Sequence, residues 1–146
     1  MFCIEFLAFV SLSHAASGSQ TKDIATAFRA ATEGRADAVL MLLPGRVASS
    51  QRTQIPELAV KSRLPAIYPN SVAVEAGGLM SYGVSLNDLD RRAATYVDKI
   101  LKGANPAELP VEQPKKFDFI INLKVAKQIG LTISPNVLER ADKMIK

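Results

Sequence analysis

The spacing of apolar residues changes along the chain, and each change marks an element. Residues Ile4 to Leu12 form a largely apolar run, interrupted by Glu5 and followed by the turn Ser17-Gly18-Ser19. A short run of this kind, bounded by Ser and Gly, reads as a buried strand over Phe6 to Leu12. Apolar residues then fall at Ile24, Ala27, Phe28 and Ala31, a helical spacing that ends at Gly34, a natural C-cap. Ala38 to Leu43 is continuous apolar sequence stopped by Pro44-Gly45, the pattern of a parallel strand covered on both faces. From Ser49 a second helical pattern places Ile55, Leu58 and Ala59 on one side and Arg52, Lys61 and Arg63 elsewhere. Pro56 falls inside it, so the helix either starts near that residue or kinks there.

The second half continues the alternation. Pro65 to Tyr68 reads as a short strand closed by Pro69-Asn70, and Gly77-Gly78 precedes a strand over Leu79 to Tyr82 that ends at Gly83. Ser85 with Asp88 three residues on predicts a capping box. It opens a long helix whose buried stripe is expected to be Leu86, Leu89, Ala93, Val97, Ile100 and Leu101, closed by Gly103. Asn105 to Pro114 carries three prolines and reads as an extended connection. Phe117 to Ile121 is a further strand, Leu123 to Ile129 a short helix stopped by Gly130, and Pro135 to Ile145 a terminal helix. Strands separated by helices predict an α/β fold, a Rossmann-like, parallel-rich sheet with helices on both faces.

Composition narrows the chemistry. One Cys and one His cannot supply the three or four N/S ligands of a zinc site, and one Cys cannot make an internal disulfide. Only a carboxylate metal site is left open, and no metal or cofactor is expected. The net charge of +4 is mildly basic, but no Lys/Arg run is interleaved with aromatics, so a nucleic-acid partner is not expected. The basic pairs Arg91-Arg92 and Lys115-Lys116 read as solvated faces. The first 20 residues also resemble a secretory signal, with the small residues Ala15 to Gly18 after the apolar run, yet no Lys or Arg precedes Lys22. Residues 1–20 are thus either a first strand or a degenerate signal.

Catalytic constellations are absent. There is no G-x-S-x-G elbow to pair with His14, no G-x-G-x-x-G after a strand and no G-x-x-x-x-G-K-[ST]. Asp88, Asp90, Glu108 and Glu112 are explained by capping and solvation. What remains is a set of strand ends, where open parallel sheets bind their ligands. These ends are Pro44-Gly45-Arg46, Tyr68-Pro69-Asn70 and Tyr82-Gly83-Val84-Ser85. Their tyrosines, Asn and Arg suit a small polar or aromatic ligand, which makes Pro44, Gly45, Arg46, Tyr68, Asn70, Tyr82 and Ser85 the candidate ligand-binding residues.

Several long collinear segments carry a resemblance. LPAIYP at Leu64 to Pro69, EAGGLMSYG at Glu75 to Gly83, RRAATYVDKILKGANPAELPVEQP at Arg91 to Pro114 and the tail FDFIINLKVAKQIGLTISPNVLERAD resemble the C-terminal half of ABC-transporter substrate-binding proteins of the tryptophan/tyrosine type. The resemblance runs from about Asp23 to the end. It implies one lobe of a two-lobed, type I periplasmic-binding-protein-like receptor. Such a receptor is exported to the periplasm, captures a small-molecule solute without catalysis and delivers it to an ABC permease in the membrane.

Departures from the family accompany the match. Members are about twice this length, the family often has an Asp where this chain has Gly45, and Pro56 replaces an ordinary helix residue. These imply a truncated or decaying copy, or else a short single-lobe protein. The implied organisation is a solute-binding lobe over residues 21–105, a hinge-like connection over 106–114 and a C-terminal part over 115–146 that packs partly on the missing lobe. A homodimer partner or an N-terminal lobe is then expected to cover Phe117, Phe119 and Ile121. The alternative from another class is a stand-alone flavodoxin-like or response-regulator-like domain, though no strand end carries an acidic phospho-acceptor cluster.

Overall fold

A computed structural model of the protein describes residues 9–11, 21–42 and 50–146. Among these, the strands β1 (Phe9–Ser11), β2 (Ala38–Leu40), β3 (Ala66–Tyr68), β4 (Met80–Val84), β5 (Phe117–Asn122) and β6 (Lys143–Ile145) form one sheet in chain order. β1 to β4 are mutually parallel, β5 runs antiparallel to β4, and β6 is parallel to β5. The parallel-rich sheet expected from the apolar runs is therefore present. β1, β2 and β3 are shorter than their apolar runs, while β4 and β5 extend past theirs to Val84 and Asn122.

The helices α1 (Thr21–Glu33) and α2 (Gln54–Lys61) connect the parallel strands and pack against each other. Ile24, Phe28 and Ala31 from α1 and Ile55 and Ala59 from α2 close over Val39, Met41, Ala66 and Tyr68 of the sheet. Right-handed crossovers that advance one strand at a time place successive helices on one face, and the α1–α2 contact follows from this. Pro56 lies in the first turn of α2, where its missing N–H has no intrahelical partner to lose. It is fully buried, so it serves as core. Arg63 takes φ 53° just beyond α2, and the Leu64 amide reaches back to the Ala59 carbonyl at 3.0 Å, a left-handed helix stop made without glycine.

A five-residue helix α3 (Ser71–Glu75) follows β3 and lies against β4 and β5 with Val74 fully buried. The helix α4 (Leu86–Leu101) comes next, with a return segment that includes a single 3-10 turn at Pro106–Glu108, capped by the Asn105 side chain. Beyond β5, α5 (Leu123–Ile129) begins under an Asn122 cap and stops at Gly130 in the left-handed region, φ 76°. Its Val125 and Ala126 meet Leu79, at the amino end of β4, and Val60 of α2, closing that end of the sheet.

Three expectations fail. The terminal helix is only the turn α6 (Pro135–Leu138), and Lys143–Ile145 pairs with β5 as a strand. The open edge of β5 outcompetes a weak helix: the Asp142 amide donates to the Phe119 carbonyl at 2.8 Å and the Phe119 amide donates to Asp142 Oδ2 at 2.7 Å. Ser85 occupies the N-cap position of α4 but makes no side-chain capping bond, and Asp88 instead receives Arg92 Nε at 2.9 Å. Finally, none of the residues expected in the stripe of α4 is buried.

Of the three residues expected to need a partner, Ile121 is fully buried within the sheet, Phe119 is half-buried and Phe117 is 46% exposed. A partner is not needed to bury Ile121, because this chain's own α3 packs on β4 and β5. No helix among the described residues is long and apolar enough to cross a membrane.

Candidate functional site

The carboxyl ends of β2, β3 and β4 lie side by side because the three strands are parallel neighbours. The turn after β3 folds tightly onto β4 there. A Cβ on Gly83 would stand 1.8 Å from the Pro69 carbonyl oxygen, so only glycine admits this approach. The contact holds the loop carrying Pro69 and Asn70 against the last residues of β4.

The predicted residues divide into three groups. Asn70 and Tyr82 reach this end of the sheet in partly or largely open positions, Asn70 half-buried and Tyr82 58% exposed. Asn70 stands at the N-cap of α3 without a side-chain capping bond. Tyr68 and Ser85 are both 3% exposed and belong to the interior. Pro44, Gly45 and Arg46 lie outside the described residues.

Tyr68 is placed by packing. A Cβ on Gly78 would lie 2.6 Å from its ring, so the ring is turned over the glycine that precedes β4, away from the carboxyl ends. Burial pushes its phenol well above the usual tyrosine range and keeps it neutral. Neither the Tyr68 hydroxyl nor that of its register neighbour Ser81 has a hydrogen-bond partner among the described residues. Ser85 sits at the root of α4, where its amide donates to the Lys116 carbonyl at 3.0 Å.

Two residues not assigned to the cleft in the sequence stand beside Tyr82. In register, Tyr82 opposes Phe119 and Val84 opposes Phe117. The Tyr82 ring stacks on Phe117 at 5.9 Å and 17° and meets Phe119 edge-on at 6.2 Å and 78°. Both arrangements are favourable for aromatic quadrupoles. The result is an aromatic patch, open at Tyr82 and Phe117, next to the strand ends. The signal for it in the sequence is Phe-x-Phe in an alternating run, but the antiparallel pairing that brings it to Tyr82 is not written in either segment.

Among the described residues, no cluster of three His, Cys, Asp or Glu side chains could hold a metal. The charged groups Asp88, Arg91, Arg92 and Glu112 pair among themselves on α4 and its return segment. The site offers aromatic surface and neutral hydrogen-bonding groups.

Known proteins give the context. A family model described as ABC transporter substrate binding protein matches residues 10–145. No curated protein matches the chain. Among solved structures, a conserved domain protein from Vibrio cholerae O1 biovar eltor is 29% identical with a TM-score of 0.73, covering 86% of this chain and 42% of its own. An ABC domain in complex with L-Trp from Streptococcus pneumonia is 28% identical with the same TM-score and coverages. A ligand-free, open substrate binding protein with adhesive properties from Clostridium difficile shares the fold at 22% identity and TM-score 0.60. The chain spans less than half the length of each of these structures.

Proposed function

The chain belongs to the family of ABC transporter substrate binding proteins, and from that premise we propose that it forms one wall of a two-walled solute receptor. The receptor captures a small molecule in the periplasm without transforming it and hands it to an ABC permease. The wall is the carboxyl end of the parallel strands, with Tyr82 and Phe117 as apolar surface and Asn70 as a hydrogen-bonding group. The observation that carries this reading is the convergence of these groups where an open parallel sheet accepts ligands. Pro44, Gly45 and Arg46 follow β2 in sequence and stay candidates for the same solute. Tyr68 and Ser85 act behind it, as packing under the loop and as the root of α4. L-Trp in the streptococcal relative makes aromatic amino acids the first solutes to test.

Chemical-shift mapping of the isotope-labelled chain with L-Trp, L-Tyr and a small sugar tests the assignment. Shifts confined to Asn70, Tyr82, Phe117 and their neighbours are expected for at least one solute. Shifts centred on another part of the sheet, or none with any solute at 10 mM (about −2.7 kcal/mol of binding free energy), would refute it.

A further inference from the structure

A cavity lies toward the end of the sheet opposite the proposed wall, where α5 closes over Leu79. The left-handed stop at Gly130 turns the chain back, with the Leu131 amide donating to the Ala126 carbonyl at 2.8 Å, and the segment through Ile133 then leads into α6. Between α5, this segment and α6 is a space of about 370 Å³, partly open to solvent. Leu123, Ala126, Leu131, Ile133 and Leu138 supply its apolar walls, and Lys127 and Thr132 its polar groups. Leu131 and Ile133 also pack on the cluster of Leu79, Val125 and Ala126, so the inner wall is anchored to the core. Small-molecule sites begin at about this volume.

The polar groups of the cavity are uncommitted. Among the described residues, Lys127 makes no ion pair, the Thr132 hydroxyl has no hydrogen-bond partner, and the amides of Thr132 and Ile133 donate to no carbonyl. The surrounding charge has one sign. Residues 115–146 carry the whole net charge of +4, with seven Lys and Arg against three Asp and Glu. Asp118 pairs with Lys116 and Asp142 accepts from the Phe119 amide, which leaves Glu139, next to Leu138, as the free carboxylate of this part. Lys124, Lys127, Arg140, Lys143 and Lys146 have no carboxylate partner among the described residues.

We propose that this cavity is a second binding site, for a small carboxylate with an apolar body, the body against Leu131, Ile133 and Leu138 and the head group at Lys127 and Thr132. Three observations select this occupant. Apolar walls give an inorganic anion nothing to bury, whereas each methylene removed from water there is favourable. The excess of cations disfavours a cationic or neutral amphiphile, because only an anion answers Lys127. It also opposes a second copy of the chain, whose own Lys124 and Lys127 would be brought against these. Size sets the length of the body: the cavity has the room of about a dozen waters, which suits a ligand of about ten non-hydrogen atoms, such as octanoate. The site shares no residue with the carboxyl-end wall, so it stands or falls apart from the two-walled reading.

The test is a chemical-shift titration of the whole isotope-labelled chain with sodium octanoate, and with 1-octanol as the uncharged probe of the same body. Saturable octanoate shifts are expected at Ala126, Lys127, Leu131, Thr132, Ile133 and Leu138, with a dissociation constant of about a millimolar, as suits a ligand of this size in an open cavity. Octanol is expected to bind about three- to fivefold more weakly, the contribution of one solvent-exposed charge pair. Lys127→Gln, at an exposed position of α5, is expected to remove that difference and leave octanol binding unchanged. Equal constants for the two probes in the unsubstituted chain overturn the anion assignment and need no variant to be read. So do octanoate shifts centred on Asn70, Tyr82 and Phe117, which would give the ligand to the other end of the sheet, or none that saturate by about 10 mM. Sedimentation with phosphatidylglycerol vesicles separates a lipid surface from a free carboxylate: co-sedimentation without saturable octanoate shifts would assign the basic residues to a membrane and overturn the cavity as their purpose. Whether L-Trp shifts Asn70 and Tyr82 is read separately and bears only on the solute reading.

Discussion

At the scale of single residues, Tyr68 shows how packing overrides chemistry. Its sequence position at a strand end suggests a ligand contact, but the ring is committed to the core and to Gly78, and its hydroxyl is buried without a partner among the described residues. Leaving a hydroxyl unsatisfied costs about 1–3 kcal/mol. Tyr68→Phe removes that cost and keeps the ring, so it is expected to be neutral or to stabilise by about 1 kcal/mol in urea unfolding, with solute-induced shifts unchanged. A destabilisation above about 1 kcal/mol would show that the hydroxyl is bonded. Gly83 makes the complementary point: its role is to have no side chain, because the Pro69 carbonyl occupies the space.

At the scale of elements, the sequence signals for starts and stops are unequal in strength. Asn122 ends β5 and caps α5, its buried side chain accepting from the Val125 amide at 3.2 Å while its own amide donates to Leu79 at 2.7 Å. One residue therefore joins the sheet to the helix that closes its end. Asn122→Ala is expected to cost about 1–2 kcal/mol in the same unfolding measurement. Asn105→Ala, at an exposed cap of a single turn, is expected to cost a few tenths at most, because water replaces the lost bond. Equal costs at the two sites would refute burial as the deciding factor. Ser85 and Asp88 show the limit of motif reading: a capping box needs a particular backbone entry, and here Arg92 claims the carboxylate first.

At the scale of the molecule, the proposed single wall sets a ceiling on affinity. A ligand held tightly has roughly 70–90% of its surface buried, and the strand ends cover only one side. Isothermal titration of the isolated chain with aromatic amino acids and small sugars is therefore expected to give dissociation constants of about a millimolar or weaker, no more than ~4 kcal/mol. A micromolar constant for the monomer would overturn this. One seen only in a dimer would make a second copy the missing wall.

Alternating apolar runs and helical spacings were enough to determine an α/β chain with parallel strands, the extents of α1 and α5, and the stop at Gly130, because each depends on side chains close in sequence. The position of Asn70 just past β3 was legible for the same reason, because the apolar run ends where the strand ends, whereas Tyr82 lies inside β4. Tertiary structure decided the rest. Whether Lys143–Ile145 becomes helix or strand depends on the edge that β5 offers, Ile120 pairing with Lys143 across 23 positions of chain. Whether Tyr68 faces solute or core depends on Gly78 and α1, and Phe117 joins Tyr82 only through antiparallel pairing. The apolar stripe of α4 is the clearest case. Periodicity establishes that a face is apolar, but burial also requires a second surface within reach, and none of this chain's described elements provides one.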